Sequence, residues 1–171
     1  MNAVTNQEFY RVYISLGSNI SPEENLPKAY AAVQSHLKII ATSTAWESLP
    51  FGGSGPNFIN SIILVKTNLQ INELKNKILR PIETQLGRVR GQDPNLPRPI
   101  DLDILIFDDQ VVDPNIWVHP FLAVPLAELI PEFRHPQSGE TLAEISQKFK
   151  CQSSIVPRPE VQERRLIPAT G

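Results

Sequence analysis

The chain has 171 residues, 41% hydrophobic and 20% charged, a balance that excludes wholesale disorder and predicts one globular domain over 1–171. Its formal charge of −2, from 16 Lys+Arg and 18 Asp+Glu, excludes an overall positive field, so we expect no nucleic-acid partner. No apolar run is long enough to span a membrane, and the N-terminus lacks the apolar stretch of a secretory signal. The single Cys151 excludes an intramolecular disulfide, and we expect a cytoplasmic protein without a membrane partner.

Alternation and capping signals predict the elements of the first half of the chain. Every second residue is apolar in 10–17, which predicts a strand. Ser21 and Glu24 have capping-box spacing and predict the start of an amphipathic helix. Strands are also predicted at 39–47, which is rich in β-branched residues, and at 58–67, with a Gly/Pro loop between them.

The second half begins with a predicted helix over 70–87, in which Pro81 predicts a kink or break near Arg80. Two strands that form a hairpin are predicted at 100–107 and 110–112, and two short helices at 125–130 and 141–150. Residues 151–171 are predicted to form a peripheral tail. The order β-α-β-β-α-β is the split βαβ pattern. We therefore predict an α+β fold with a core over about 10–150, in which an antiparallel sheet carries two helices on one face.

Two acidic residues on one predicted strand indicate a metal site. Asp101 and Asp103 are two residues apart, so their side chains share one face. Neighbouring carboxylates repel each other unless a cation lies between them, and hard oxygen ligands suit Mg²⁺. The alternative is that both aspartates belong to the solvated face of the strand. The other face carries the apolar residues Ile100, Leu102, Ile104 and Ile106.

Three arginines, Arg88, Arg90 and Arg98, precede this strand closely. Arg88 and Arg90 follow Gly87, where they would also complement the C-terminus of the predicted helix. Guanidinium groups beside metal-binding carboxylates form a phosphoryl-transfer site, in which catalysis rests on positioning and charge stabilisation. The sequence contains neither a G-x-x-x-x-G-K-[ST] nor a G-x-G-x-x-G motif, which excludes P-loop and Rossmann sites by motif.

An ordered series of motifs resembles the 6-hydroxymethyl-7,8-dihydropterin pyrophosphokinase family across about residues 10–150. The motifs are YISLGSN at 13–19, FIN at 58–60, Ile82-Glu83, GRVR at 87–90, PRPIDLDIL at 97–105, His119-Pro120 and PLAEL at 125–129. The resemblance implies a ferredoxin-like core. It also implies an enzyme of folate biosynthesis that transfers the terminal diphosphate of ATP to the pterin hydroxymethyl group and releases AMP.

The resemblance also implies a role for each site residue. Asp101 and Asp103 would bind two Mg²⁺ ions and act in catalysis together with Arg88 and Arg98. The nucleotide would contact Glu83, Arg90, Arg98, Ile104 and His119. The pterin would lie against Ser48, Leu49, Phe51, Phe58, Asn60 and Phe121. The partners are then two small molecules, ATP and a dihydropterin, and we expect a monomer or a weak dimer.

The residue types on the pterin side agree with this assignment. A pterin is flat with an edge of donors and acceptors, so a side-chain amide beside aromatic rings suits its recognition. Asn60 shares a strand face with Phe58 and Ile62, where an amide is costly unless it forms hydrogen bonds. The alternatives are core packing for Phe58 and Phe121 and an extended surface position for His119.

The chain departs from the family pattern in the segments expected to cover the nucleotide. Phe121 follows Pro120 directly, so about five to seven residues of a covering loop and their arginine are missing. The loop between Arg90 and Arg98 lacks the basic residue and the glycine that are usual directly before the Pro-Arg pair, and has Asn95 where a tryptophan is common. Arg80 would compensate if the kink at Pro81 turned it inward.

These departures leave three functions open. The first is a magnesium-dependent diphosphotransferase, slowed by the short loop. The second is a catalytically impaired paralogue that still binds nucleotide or pterin. The third is a ferredoxin-like interaction module in which Asp101 and Asp103 are merely solvated.

Overall fold

The computed structural model describes residues 8–50, 52–91, 93 and 96–163. Within these residues seven strands form one antiparallel sheet, in the order β6-β5-β1-β4-β3-β7, with β2 also paired to β4. The strands are β1 Tyr10–Ser18, β2 Lys38–Thr42, β3 Trp46–Ser48, β4 Phe58–Thr67, β5 Asp101–Phe107, β6 Gln110–Val111 and β7 Ile155–Pro157. The predicted α+β fold with a ferredoxin-like antiparallel sheet is confirmed.

The strand predicted at 39–47 is in fact two strands, β2 and β3, which both pair with the long strand β4. The interruption is at Ser43. Its backbone N–H donates to the carbonyl of Ile62 at 2.8 Å, while its side-chain Oγ accepts the Ile62 N–H at 2.8 Å. A side chain has thus taken the place of a backbone acceptor in the ladder, so regular pairing stops and resumes at Trp46.

Helix α1 spans Pro22–His36, but the predicted capping box at its start is wrong. Ser21 has a left-handed backbone with φ 41°, and its side chain makes no capping hydrogen bond. Its carbonyl instead accepts the N–H groups of Glu24 at 3.0 Å and Asn25 at 2.9 Å. The first turn is therefore satisfied by the backbone, and Pro22 at the first helical position needs no partner.

The irregularity predicted near Arg80 is a π-helical turn within a continuous helical run. Helix α2, Ile71–Glu73, leads into π turns over Leu74–Leu79 and then into α3, Arg80–Gln85. The Arg80 N–H donates to the carbonyl of Lys75, five residues back, directly before Pro81, which has no N–H. The Arg80 side chain does not turn inward, since its Nη1 donates to Asn76 Oδ1 at 2.6 Å on the exposed helix surface.

Helices cover both faces of the sheet. On one face, α1 and the α2–α3 run cover Val12, Ile14 and Leu16 of β1, which are buried. These are the two helices that the sequence predicts on one face of the sheet. The other face is covered as well, in contrast to the predicted sheet with helices on one face: α4 (Pro120–Leu129) and α5 (Leu142–Gln152) pack over a second core. Helix α4 is longer than the predicted 125–130 because it begins with Pro120 at its first turn.

A β-bulge in β5 changes which of its residues face each core. Ile14 pairs with Ile104, but the preceding Tyr13 pairs with Ile106, so Leu105 is an extra residue in β5. Ile106 consequently lies on the α4 side, with Leu105, and not on the side of Ile104. The prediction that Ile106 shares a face with Ile104 is therefore wrong.

Part of the predicted peripheral tail belongs to the folded domain. Strand β7 adds to the edge of the sheet beside β3, and helix α6 (Pro159–Glu163) follows it. Val161 of α6 is fully buried in the core beneath α1, so this stretch is not peripheral. Residues 164–171 of the tail lie outside the described residues. Within the described part of the chain, the helices are too short or too polar to cross a membrane.

Candidate functional site

A cavity of about 320 Å³ opens at one end of the sheet, on the face covered by α4. The register of the strands explains why polar side chains meet there. Gly17 of β1 pairs with Asn60 of β4 on one side and with Asp101 of β5 on the other. Two strand spacings separate Asn60 from Asp101, or about 10 Å between backbones. The predicted residues that line the cavity are Ser48, Leu49, Phe58, Asn60, Arg98, Asp101, Asp103, His119 and Phe121.

The acidic end of the cavity is an ion-pair network around Asp101. Arg98 Nη1 donates to Asp101 Oδ2 at 2.7 Å, and Arg88 Nη1 donates to the other carboxylate oxygen, Oδ1. The backbone N–H of Arg98 donates to Asn19 Oδ1 at 2.7 Å, and this bond fixes the backbone of Arg98 beside the cavity. The network therefore holds two guanidinium groups within reach of an anion bound beside Asp101.

Asp103 has a raised pKa in this cluster. Its side chain is exposed and lines the cavity, and it follows Asp101 on the same strand face. Desolvation, followed by the negative charges of Asp101 and Glu83, raises the pKa of Asp103 to about 6, although Arg88 opposes the shift. A cation beside the two carboxylates would relieve this repulsion.

Glu83 of α3 lies beneath the network and not in the cavity. Its side chain is 2% exposed, and its Oε1 accepts the Leu102 N–H at 2.9 Å and Arg88 Nη1 at 2.6 Å. Its other oxygen accepts Arg90 Nη2. Burial raises the pKa of Glu83, although the Leu102 amide and the two arginines favour the charged form. Glu83 therefore joins both arginines to the strand that carries the aspartates.

The opposite end of the cavity combines an amide, aromatic rings and an unpaired hydroxyl. Asn60 is only 6% exposed, and Phe58 lies two residues before it on β4. The rings of His119 and Phe121 stack with centroids 5.0 Å apart and an interplanar angle of 11°. Ser48 Oγ is buried without a hydrogen-bond partner among the described residues. Such a surface can take a flat heterocycle with donors and acceptors along its edge.

A second cavity of about 300 Å³ adjoins the first and carries the arginine side of the network. Arg88, Arg90 and Arg98 all line it, and Arg98 lines both cavities. The three arginines predicted to neutralise phosphate thus lie along one continuous surface. The attraction of Asp101 and Glu83 outweighs burial and raises the pKa of Arg88, so this group stays cationic.

Among the described residues, four predicted site residues do not line the main cavity, and two of these, Arg88 and Arg90, line only the adjoining cavity. Glu83 lies below the main cavity, as described above. Ile104 points to the opposite face of the sheet and is buried in the core with α1, because residues of a strand alternate between faces. Phe51 lies outside the described residues.

The structure also adds residues that the motifs had not singled out. Asp113 and Asn115 line the main cavity from the short 3-10 helix Pro114–Trp117 and the residue before it. Asp113 caps that helix by accepting the Asn115 N–H at 2.9 Å. The sequence signal available was a lone acid before a proline, which is also common in turns that bind nothing.

The acids at the cavity suit a magnesium ion shared with a phosphate ligand. Asp101 and Asp103 offer oxygen ligands on a rigid strand, and crowding already disfavours the second negative charge. Among the described residues no group of three or more His, Cys, Asp or Glu side chains could hold a metal ion. The remaining ligands would therefore come from phosphate oxygens and water, which is the usual arrangement for Mg²⁺.

Comparison with known proteins finds relatives that belong to one family. A model of the family described as 7,8-dihydro-6-hydroxymethylpterin-pyrophosphokinase (HPPK) matches residues 13–131. The chain is 36% identical over 147 residues to the 2-amino-4-hydroxy-6-hydroxymethyldihydropteridine pyrophosphokinase of Pseudomonas aeruginosa, covering 79% of this chain and 89% of that protein. It is 33% identical over 156 residues to the Aquifex aeolicus protein of the same name, covering 85% and 94%.

A solved structure also has this fold. The Plasmodium falciparum HPPK-DHPS A437G protein with pteroate superimposes with a TM-score of 0.68 at 15% identity. The alignment covers 86% of this chain and 45% of that longer one, so the match establishes the fold alone.

Proposed function

The chain belongs to the 7,8-dihydro-6-hydroxymethylpterin-pyrophosphokinase family, and we propose that it transfers diphosphate from ATP to the hydroxymethyl group of 6-hydroxymethyl-7,8-dihydropterin. The observation that carries the proposal is one cavity that joins an acid and arginine cluster to an amide and aromatic wall. The two ends lie about 10 Å apart across three neighbouring strands, which suits a heterocycle at one end and a polyphosphate at the other.

At the pterin end, Asn60 pairs with the donor and acceptor edge of the ring. Phe58 and Phe121 pack against its faces, and the Ser48 hydroxyl, which has no partner among the described residues, offers a further hydrogen bond. An analogue without the edge groups would leave buried polar atoms of Asn60 and Ser48 unpaired. Sites of this kind reject such analogues strongly.

At the phosphate end, Asp101 and Asp103 would hold magnesium, which when bound neutralises phosphate charge and orients the chain of phosphates. The pterin hydroxyl oxygen forms a bond to the β-phosphorus, and the bond between that phosphorus and the oxygen bridging to the α-phosphate breaks. AMP leaves with that bridging oxygen, and the hydroxyl proton is released. Arg88 and Arg98 stabilise the charge that develops on the phosphate oxygens.

Formation of AMP from ATP, Mg²⁺ and the hydroxymethyl-dihydropterin tests this function. We expect AMP to require both the pterin and the metal, and to disappear in Asp103→Ala. Equal ATP affinity in chelator and in excess Mg²⁺, measured by calorimetry, would contradict the role of the two aspartates.

The short loop favours one alternative, a binding protein of the same family with impaired turnover. Helix α4 begins at Pro120, directly after His119, so no residues remain there to cover the phosphates. Arg80 does not supply the missing charge, since it is bonded to Asn76 on the surface. Pterin binding without AMP above background would establish this alternative and exclude the first.

A further inference from the structure

The C-terminal segment 153–163, here called the strap, continues the sheet next to the pterin end of the cavity. Its strand β7 pairs with β3 through Trp46 with Pro157, Glu47 with Val156 and Ser48 with Ile155. The N–H of Arg158 then donates to the Ala45 carbonyl at 2.7 Å. Strand β3 has only three residues, and without the strap it would be an edge strand held on one side by β4.

Side chains of the strap fasten this pairing to the rest of the domain. Arg158 Nη1 donates to Glu47 Oε2 of β3, and Nη2 lies 3.4 Å from Glu23 Oε1 of α1. Val161 is fully buried in the core beneath α1. The strap thus connects β3 to α1, which are separated along the chain by β2.

The strand that the strap holds forms a wall of the cavity. Ser48, the last residue of β3, lines the cavity together with Leu49 and Pro50, which follow it. Glu47 binds Arg158 on one side and accepts Asn57 Nδ2 at 3.0 Å on the other. Asn57 directly precedes Phe58, so one carboxylate links the strap to both ends of the loop at 49–57.

We propose that the strap is a positioning element for the pterin wall, an inference that rests on the proposed pterin-binding function. It lies outside residues 13–131, which the family model matches. The described residues of the strap line neither cavity. The strap acts by keeping Ser48 and the start of the loop at 49–57 in place, since small displacements of positioning groups reduce binding and rate.

Arg158→Ala tests the proposal because it removes the anchor and keeps Val161 in the core. We expect the KM for the pterin to rise about tenfold while the KM for ATP stays within about twofold. Amide hydrogen exchange should accelerate over 45–50 and stay slow over β4. The matched control is Lys148→Ala, which removes an exposed cation paired with Glu140 and lining neither cavity.

A second variant, Val156→Pro, removes a backbone N–H from β7 at a residue that is 53% exposed, so no core side chain is lost. It should reproduce the rise in pterin KM. Faster exchange over 45–50 without a change in pterin KM, or equal rises for both substrates, would overturn the strap's role. Failure of the wild-type protein to bind the pterin would instead overturn the proposed function, and the strap's role with it.

Discussion

A methyl group added at Gly17 is the sharpest available test of how the pterin is held. A Cβ at Gly17 would lie 2.4 Å from Asn60 Oδ1 and 3.5 Å from Asn60 Cγ. Ordinary contact begins near 3.4 Å, so the amide oxygen has to move by about 1 Å. Gly17 lies in the extended strand β1, so the backbone accepts alanine and the clash is confined to Asn60.

Gly17→Ala should therefore weaken pterin binding without removing any group that contacts the ligand. A displaced amide leaves buried polar groups unpaired, at a cost of about 1–3 kcal/mol, or roughly 5- to 150-fold in Kd. Calorimetric titration with 6-hydroxymethylpterin measures this change. Binding of Mg²⁺ and ATP serves as the internal control and should change little.

A double-mutant cycle decides whether the effect passes through Asn60. If Gly17 acts by making room for the amide, Gly17→Ala combined with Asn60→Ala should bind the pterin no worse than Asn60→Ala alone. Wild-type affinity in Gly17→Ala would refute the reasoning. Fully additive losses in the double variant would refute it as well, because the two residues would then act independently.

Three further predictions concern the charged end of the cavity and its covering loop. Between pH 3.8, the ordinary pKa, and about pH 6, Asp103 is protonated in the folded protein but ionised in the unfolded chain. The stability that results is fully present below pH 3.8 and is lost as the pH rises through about 6. Asp103→Asn should accordingly raise the Tm at pH 7.5 in chelator but not at pH 3.5, and equal shifts at both pH values would contradict the raised pKa. Glu83→Gln removes the charge that holds Arg88 and Arg90, and should lower kcat/KM for ATP about 10²-fold with little change in pterin Kd, whereas the surface change Glu140→Gln should have no effect. An arginine-containing loop inserted between Pro120 and Phe121 should raise kcat about 10²-fold in the AMP assay, and an unchanged rate would show that the short loop does not limit turnover.

The parts of the fold and site that could be predicted depend on local patterns. Alternation gave the main strands, and two aspartates two residues apart necessarily share a strand face. Asn60 beside Phe58 was predicted to lie at a pterin surface, and both line the cavity, although no ligand has yet tested their roles. The resemblance placed these segments in one site before their distances were known.

The parts that could not be predicted depend on partners distant in sequence. The bulge at Leu105 is set by pairing with β1, so periodicity within β5 alone gives the wrong face for Ile106. Glu83 was expected near the nucleotide, but its burial depends on an amide of β5 and two arginines that follow it. Strand β7 has only three residues and contains Pro157, so it has no periodic signal at all.

The extra residue in β5 has a consequence for how the two walls of the cavity are supported. Before this extra residue, Leu105, the strand presents Asp101 and Asp103 to solvent, whereas Leu105 and the following Ile106 are packed under α4. The same helix begins at the stacked rings of His119 and Phe121. The segment of β5 around Leu105 therefore positions the two aspartates and also supports the start of α4, where the rings of His119 and Phe121 stack. A change in side-chain volume at Leu105, which meets no ligand, would alter the width of the cleft.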